Sequence, residues 1–283
     1  MITLASDFGT PYPAAMKGVL CQRTDARLID VSHEFPRQDI RAAAFWLRET
    51  LPYFPPATHL IVVDPGVGTD RNALVLRAGE HTLVGPDNGV LRPVARQLTD
   101  GGQLEASVID ESRLERVEPT VDSARTQVAA SARDDARPAS NTFHGRDVFA
   151  PAAAAVHDTP LEALEDCAFL ESVATEMLVD CELPTATLEE DGARATGEVL
   201  VVDDFGNVIT NVPGDVLRDH ERVVANGEAV PVGETFAAVS PGERLATVGS
   251  HGYVELDVNQ GRGDEAFELE VGDRVILETA VSP

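Results

Sequence analysis

The chain has 283 residues, 43% of them hydrophobic, and its 48 acidic residues outnumber the 22 basic ones to give a net charge of −26. Apolar runs such as residues 60–63 and 199–202 exclude an intrinsically disordered acidic chain. The negative charge argues against binding to nucleic acid or to anionic membranes. Lys17 is the only lysine, and a carboxylate-rich, lysine-poor surface predicts a halophilic protein, because high salt screens the self-repulsion.

The cysteines and the N-terminus bear on the cellular compartment. Cys21, Cys167 and Cys181 show no CxxC spacing, so neither a disulfide framework nor a zinc site is expected. The N-terminus lacks the basic region of a signal peptide. No window of about 18 apolar residues could form a membrane span. We therefore expect a cytoplasmic protein.

The first half of the chain alternates apolar runs with amphipathic segments, which predicts a Rossmann-like α/β domain with a mostly parallel sheet. The predicted strands, of which the last two form a hairpin, are residues 2–5, 27–31, 59–63, 73–77 and 81–84. The predicted helices are residues 14–22, 40–51 and 148–156. In the second of these helices, the buried face is predicted to consist of Ala42, Ala43, Phe45, Trp46 and Leu47.

The second half of the chain has a different pattern. Short β-type runs separated by Gly, Pro, Asp and Asn predict a smaller all-β barrel domain. These runs are residues 193–203, 208–212, 222–225, 229–232, 246–248, 253–258 and 274–278. We expect an N-terminal domain over 1–165, a connector over 166–190 and the barrel over 191–283. Residues 115–140 are rich in Ala, Ser, Arg, Asp and Pro, which predicts a flexible, exposed insertion.

Three distant segments combine an acid, a base or a cation with glycine. Residues 6–9 read SDFG, residues 64–71 read DPGVGTDR and residues 143–147 read FHGRD. The first two segments follow apolar runs, as expected for a site at the carboxyl ends of strands. Each segment also has a plainer interpretation. Asp7 could hold a ribose diol or only cap the turn or helix that follows it.

The second and third segments leave similar alternatives open. Asp64 and Arg71 could form a site or a surface ion pair. His144 could be functional or structural, and its spacing to Asp147 could instead belong to a metal site. In the β half, residues 203–207 and 249–253 could cover a nucleotide or be ordinary turns.

Taken together and in order, the motifs indicate a known family. Residues 6–9 with 16–18 (MKG), 63–69 (VDPGVGT), 85–89 (GPDNG), 142–147 (TFHGRD) and 203–211 (DDFGNVITN) occur in one sequence over nearly the full chain. This set resembles the S-adenosyl-L-methionine (SAM) hydroxide adenosyltransferases, the water-using relatives of fluorinase and chlorinase. The sequence departs from the family pattern after Gly9, where the loop is two residues shorter and lacks an Asp. It departs again at His251, where the halogenases carry Arg.

The resemblance implies hydrolysis of SAM to adenosine and L-methionine, with no metal and no cofactor because SAM is the substrate. It implies a homotrimer with active sites between subunits. The family's catalytic triad maps onto Asp64, Arg71 and His144, and Asp7 corresponds to the carboxylate that holds the ribose diol. The residues expected to bind substrate are Asp7, Asp87, Asn88, Asp203, Phe205, Asn207 and Ser250.

The expected mechanism is in-line attack of an activated water on the ribose C5′. Arg71 would stabilise the developing hydroxide, His144 would accept the proton and Asp64 would orient both. Three other functions stay open. They are a halide-using relative, a metal-dependent hydrolase built on Asp64 and His144, and a protein that binds adenosine or SAM without catalysis.

Overall fold

A computed structural model describes residues 1–114, 142–189 and 192–279 of the chain. The predicted insertion over 115–140 lies outside these residues. The chain divides into two compact units, Met1–Glu182 and Leu183–Pro283, here called the α/β unit and the barrel unit.

The α/β unit is built on a seven-stranded sheet with the order β2-β1-β3-β5-β4-β6-β7. Its strands are β1 (Ile2–Ser6), β2 (Leu28–Ser32), β3 (Thr58–Val62), β4 (Ala73–Ala78), β5 (His81–Pro86), β6 (Leu104–Ile109) and β7 (Leu170–Val173). Strands β2, β1, β3 and β5 are mutually parallel, whereas β4, β6 and β7 extend the sheet in antiparallel pairs. The predicted α/β class and the predicted hairpin are confirmed.

Helices cover the sheet from both faces. They are α1 (Tyr12–Arg23), α2 (Ile40–Thr50), α3 (Arg92–Leu98), α4 (Glu111–Leu114) and α5 (Ala150–His157), with a π-helical turn at Gly145–Phe149 and 3₁₀ turns at Leu51–Tyr53, Leu161–Asp166 and Thr175–Met177. Successive β3 residues face opposite ways, as a strand requires. Leu60 packs in one core with α1 and α5, and Ile61 packs in the other with α2 and α3.

Local signals explain how α2 forms. The Asp39 side chain caps its first turn by accepting a hydrogen bond from the Ala42 backbone nitrogen at 2.9 Å. The buried face contains Ala44 in addition to the predicted Ala42, Ala43, Phe45 and Leu47. Trp46 is expected in this buried face but is only partly buried, and it packs against the same core.

The barrel unit is an eight-stranded antiparallel sheet that curls almost closed. Its strands run in the order β12-β11-β15-β9-β10-β14-β13, with β8 paired to β9. A parallel bridge between Val232 and Ala246 links the two ends of this order. The bounds are β8 (Thr187–Leu188), β9 (Arg194–Val202), β10 (Val208–Pro213), β11 (Arg222–Ala225), β12 (Glu228–Pro231), β13 (Arg244–Val248), β14 (Tyr253–Val258) and β15 (Arg274–Thr279).

The predicted barrel is confirmed, with one local difference. A short helix α6 (Gly263–Phe267), which is not among the predicted elements, follows β14. The unit also contains 3₁₀ turns at Gly214–Leu217 and Phe236–Ala238. Its interior is aliphatic, with residues such as Val199, Val208 and Leu256 fully buried.

Candidate active site

The site begins at the carboxyl edge of the parallel strands. Asp7 follows β1, Asp64 lies just beyond β3 and Asp87 follows β5. Strand β4 runs antiparallel to β5, and its first residue, Ala73, pairs with Pro86 at the end of β5. The start of β4 therefore lies at the same edge, which brings Arg71 beside Asp64.

Arg71 and Asp64 form a bidentate ion pair. The Arg71 Nε donates to Asp64 Oδ1 at 2.9 Å, and its Nη2 donates to Asp64 Oδ2. The side chains are only 9% and 3% exposed, so the pair is almost removed from water. The guanidinium carbon also lies 5.0 Å from the centre of the Phe149 ring, in the range of a cation–π contact. This is a buried pair in a fixed geometry and not the surface ion pair considered above.

His144 joins this pair through one ring nitrogen. The Arg71 Nη2 lies 2.9 Å from His144 Nδ1. A guanidinium has donors and no acceptor, so Nδ1 must accept, and the neutral ring then carries its proton on Nε2. The structure thus brings the three predicted catalytic residues together. In this arrangement the Nδ1 lone pair of His144 accepts from Arg71, and the role of His144 in proton transfer stays a prediction.

Asp64 and His144 line a cavity of about 470 Å³. Its other lining residues are Phe8, Tyr12, Val62, Val67, Thr142, Phe143, Gly145 and Arg146. The volume falls in the range of small-molecule sites. An apolar wall with an acid and an imidazole at its base can hold an organic ligand and present one reacting atom to the polar groups.

Three aromatic rings form one wall of the cavity. The centres of the Phe8 and Phe143 rings lie 5.7 Å apart, and the Tyr12 ring lies 5.5 Å from Phe143 in the same edge-to-face manner. Gly145 is required beneath them, because a Cβ there would lie 2.9 Å from Met16 Sδ and 3.1 Å from the Phe143 ring. The aromatic wall was missed by the sequence reasoning, although Phe8 and Phe143 belong to the motifs.

Arg146 is a further cavity residue that the sequence reasoning missed. Its guanidinium makes two hydrogen bonds to Asp147, at 2.6 and 2.7 Å, and lies 5.3 Å from the centre of the Phe143 ring. The hydrogen bonds to Asp147 raise the pKa of Arg146 above its usual value. Asp147 therefore pairs with its neighbour in the structure.

Asp7 is 8% exposed at the end of β1. Its Oδ2 accepts a hydrogen bond from the Gln38 backbone nitrogen at 2.7 Å. Neither α1, which begins at Tyr12, nor its cap involves the Asp7 side chain in the described residues. The Asp7 side chain thus does not cap α1 and bonds the backbone at Gln38 instead, and its contact with a ribose diol stays a prediction.

Asp87 and Asn88 hold neighbouring parts of the α/β unit. The Asp87 carboxylate accepts from Asn72 Nδ2 at 3.1 Å and from the Val179 backbone nitrogen at 2.9 Å. The Asn88 amide donates to the Val63 carbonyl at 2.8 Å. Both side chains thus shape the strand ends around Asp64, and their contact with substrate stays a prediction.

The other predicted substrate residues belong to the barrel unit. Asp203 Oδ1 accepts from the Phe205 and Asn207 backbone nitrogens, and its Oδ2 accepts from Asn207 Nδ2, each at 2.9 Å. This network fixes the loop between β9 and β10 and leaves the Phe205 ring 78% exposed. Ser250 is exposed at the turn between β13 and β14.

Strand β14 carries two buried carboxylates, Glu255 and Asp257, that the sequence analysis does not predict. Asp257 is 0% exposed and Glu255 is 7% exposed. Neither Asp257 oxygen has a hydrogen-bond partner among the described residues. Burial, together with Glu255 and Asp203, raises the pKa of Asp257 to about 8. Burial and Asp203 raise the pKa of Glu255 to about 7.

Residues 1–114, 142–189 and 192–279 also bear on metal binding and membrane insertion. No group of three or more His, Cys, Asp or Glu side chains in these ranges is placed to hold a metal ion. None of their helices is long and apolar enough to cross a membrane.

Comparison with known proteins identifies the family. The model of the SAM hydroxide adenosyltransferase N-terminal domain matches residues 2–165, and that of the C-terminal domain matches residues 197–276. The chain is 40% identical over 280 residues to an (R)-S-adenosyl-L-methionine hydrolase of Salinispora tropica, with 97% of this chain and 96% of that protein covered.

Two further relatives agree over most of the chain. An (R)-S-adenosyl-L-methionine hydrolase of Thermus thermophilus is 39% identical over 281 residues, with 96% of this chain and 97% of that protein covered. The crystal structure of an uncharacterized conserved protein from Thermotoga maritima is 30% identical and has a TM-score of 0.78, with 98% of this chain and 99% of that chain covered. This chain therefore belongs to the SAM hydroxide adenosyltransferase family.

Proposed function

We propose that this protein hydrolyses SAM to adenosine and L-methionine. The observation that carries the proposal is the contact of Arg71 with both Asp64 and His144 at the base of the cavity. The relatives at 39–40% identity are named as hydrolases of the (R) epimer at sulfur, and we extend that preference to this chain.

The chemistry follows from the substrate. A water oxygen forms a bond to C5′ of the ribose while the C5′–S bond breaks, and the electron pair of that bond neutralises the sulfonium. Methionine leaves as a neutral thioether, and one proton of the water is released. The protein must orient the water in line with the C–S bond and help to remove its proton.

The hydrogen bonds of the triad divide these tasks among its members. His144 presents Nε2–H as a donor, so we assign it to holding the water oxygen. Asp64 has carboxylate lone pairs and lines the cavity, so we assign it as the proton acceptor. Arg71 holds both partners in place through its hydrogen bonds, and its positive charge stabilises the developing hydroxide.

The remaining predicted residues bind the substrate in this proposal. Asp7 would accept hydrogen bonds from the ribose diol at the carboxyl edge of the sheet. Asp203, Phe205, Asn207 and Ser250 would contact the adenine and methionine ends, and Asp87 and Asn88 would shape the adjoining loops. No metal or additional cofactor is proposed.

The setting of the enzyme is also a proposal. We propose a homotrimer with active sites between subunits on the basis of the family resemblance, and a cytoplasmic location on the basis of the cysteine pattern. The domain limits 1–165 and 191–283, with a connector between them, are proposed from the sequence pattern. The 48 acidic residues against 22 basic ones support a halophilic protein, since screening by salt would offset the repulsion.

One experiment tests the reaction directly. Purified protein is incubated with each sulfonium epimer of SAM in ¹⁸O-labelled water, and the products are separated and weighed by mass spectrometry. We expect adenosine with a heavy 5′-oxygen in a one-to-one ratio with methionine. Unlabelled adenosine, or no methionine at all, would reject the proposal.

Matched salts and a chelator separate the alternatives. High potassium chloride is compared with a halide-free potassium salt of the same ionic strength. Formation of 5′-chloro-5′-deoxyadenosine only in chloride would indicate a halogenase, whereas equal adenosine in both salts would indicate attack by water. Activity lost on exhaustive chelation and restored by a divalent cation would favour the metal-dependent hydrolase.

A further inference from the structure

A second chain of hydrogen bonds runs beside the cavity and does not include the triad. Lys17 Nζ, on α1, donates to Asp30 Oδ2 at 2.5 Å. Asp30 Oδ1 lies 3.0 Å from His33 Nε2, and His33 Nδ1 lies 2.7 Å from Ser6 Oγ. We call these four residues the Lys17–Ser6 relay. It runs from a half-exposed lysine to a serine that is 0% exposed.

The direction of the two hydrogen bonds to Asp30 is fixed by chemistry. Burial alone would raise the pKa of Asp30, but hydrogen bonds from Lys17 and His33 hold it below its usual value, so Asp30 is an acceptor. The His33 Nε2 therefore donates. The other ring nitrogen, Nδ1, is hydrogen-bonded to the Ser6 hydroxyl, which can donate to a ring that carries its proton on Nε2.

This order of Ser, His and Asp also occurs in hydrolases that use serine as a nucleophile, but Ser6 cannot act in that way here. Its hydroxyl can donate to His33, as a nucleophile would require. However, Ser6 is completely buried as the last residue of β1, where it pairs with Val62 of β3. A substrate carbon has no access to it, so the relay must act by holding structure in place.

What the relay holds is the turn that carries Asp7. The His33 ring bonds Ser6 at one end of this turn, and the His33 carbonyl accepts from the Gly9 backbone nitrogen at 2.8 Å at the other end. Asp7 lies between these two contacts, and its carboxylate is bonded to the Gln38 backbone nitrogen. The segment from His33 to Gln38 therefore holds the turn by three hydrogen bonds, one each at Ser6, Asp7 and Gly9.

We propose that His33 is a positioning residue that acts through Asp7 and fixes the orientation of its carboxylate toward the ribose diol. This proposal rests on the proposed function, because it takes Asp7 as the group that binds the nucleoside. Loss of the His33 side chain would free the Ser6 end of the turn and let the Asp7 carboxylate move. We expect the protein to lose the preference for an intact diol that an oriented hydrogen bond provides, which is about tenfold in affinity.

The test compares binding of adenosine and 2′-deoxyadenosine by calorimetry, since the second ligand lacks one hydroxyl of the diol. Wild-type protein is expected to prefer adenosine by at least about tenfold. Asp7→Ala should abolish this preference. His33→Ala should reduce it to nearly the same level, and the double variant should lose nothing more, because both changes remove the same interaction.

Two further variants separate positioning from simple damage to the fold. His33→Asn places an amide oxygen near the position of Nδ1 and should restore most of the preference by accepting from Ser6. Ser32→Ala is the matched control. It removes a hydroxyl next to His33 that accepts from the Glu34 backbone nitrogen at 3.1 Å but does not bond the turn, so the preference should stay unchanged.

The binding measurements decide the role of the relay, and a separate assay decides the reaction. The inference is overturned if His33→Ala, or Ser6→Ala should the first variant not fold, keeps the full preference that Asp7→Ala loses. It is also overturned if wild-type protein does not distinguish the two nucleosides. In either case the release of labelled adenosine from SAM, measured on the same preparation, decides the proposed function independently.

Discussion

The triad of the α/β unit and the acidic pair of the barrel unit, Glu255 and Asp257, both place ionisable side chains out of water, but only the triad supplies a counter-charge. Asp64 is held by two hydrogen bonds from Arg71. Asp257 is at least as deeply buried and has no donor among the described residues, and its nearest charges are other carboxylates.

The comparison shows two ways in which a protein can bury an acid. A buried carboxylate can stay ionised if a cation neutralises it, or it can take up a proton and become neutral. The first arrangement keeps a charge available for chemistry. The second holds protons whose release depends on pH. We therefore expect changes in the triad to affect catalysis and changes in the acidic pair to affect the pH dependence of stability.

The largest expected effect comes from removing the cation of the triad. Arg71→Ala should reduce adenosine formation by about 10²–10³-fold, because an electrostatic stabiliser of the reacting water is lost. It should also destabilise the protein by about 3–5 kcal/mol, since Asp64 is left buried without its partner. Product assays and denaturant unfolding measure the two effects.

Arg77→Ala is the matched control for this change. Arg77 pairs with Glu105 at 3.1 Å, and both side chains are at least one-third exposed. Its removal should change activity less than twofold and stability by less than about 1 kcal/mol. Equal losses in the two variants would show that buried and exposed pairs do not differ in the way argued here.

The next effect separates the roles within the triad. His144→Asn offers an amide oxygen near the position of Nδ1, so it can still accept from Arg71, whereas His144→Phe cannot. If Asp64 takes the proton, His144→Asn should keep about tenfold or more activity over His144→Phe, the value of one hydrogen bond to a charged group. Initial rates at saturating SAM provide the measurement. Equally inactive variants would show that the hydrogen bond from Arg71 to this position does not by itself sustain activity, and that the Nε2–H that both variants lack is required to hold the water.

A smaller effect is expected in the barrel unit. The pKa of Asp257 is raised from 3.8 to about 8 on folding, so the folded state binds the proton more tightly. The stability that this proton provides is complete below about pH 4 and is lost as the pH rises toward 8. Asp257→Asn should therefore raise the melting temperature at pH 8 by a few degrees and leave it nearly unchanged at pH 4.5.

The control for Asp257→Asn removes the same charge from the surface. Asp204 lies in the exposed loop between β9 and β10, and Asp204→Asn should show no such difference between the two pH values. A melting temperature of Asp257→Asn that follows that of the wild type at every pH would indicate that Asp257 is not protonated in the folded protein.

The smallest effect concerns His59, a buried base in the α/β unit. Its contribution to stability depends on pH with the opposite sign to that of Asp257. His59 bonds Thr3 at 2.7 Å and His81 at 2.9 Å. Burial, with His81 beside it, lowers the pKa of His59 from 6.5 to about 3. Stability due to the neutral ring is present above about pH 6.5 and is lost as the pH falls toward 3.

Replacement of His59 should weaken this loss of stability at acid pH. Between pH 7 and pH 5, the fall in melting temperature should be a few degrees smaller in His59→Gln than in the wild type. The slope is compared instead of the absolute value, because the substitution also removes hydrogen bonds. His220→Gln in the barrel unit is the control, and an identical slope in all three proteins would contradict the assignment.

Much of the site could be predicted because strand ends are visible in the sequence. Apolar runs that stop at Asp7 and Asp64 place both acids at one sheet edge, and the predicted hairpin after Arg71 brings that residue to the same edge. His144 could be included only through the ordered motifs. Which of its ring nitrogens bonds Arg71, and therefore which one carries the proton, depends on side-chain geometry that the spacing of the motifs does not specify.

The features missed by sequence reasoning are those decided by distant packing. Strands β6 (LEASVI) and β7 (LESV) are short and partly polar, and each forms by pairing with a neighbour far away in the chain. Helix α3 has a proline in its first turn and packs on α2. Asp257 was missed because a polar residue in an alternating strand normally faces water, whereas both faces of β14 are covered.

The lone lysine also gives a practical handle. Lys17 is the only side-chain primary amine in the chain, and its ammonium group is the outer end of the relay that leads to Ser6. An acylating fluorescent reagent would thus label Lys17 and the α-amino group, and peptide mapping would identify the reporter on Lys17. Its reactivity would report whether the Asp30 contact is open or closed while a nucleoside is titrated into the same cuvette.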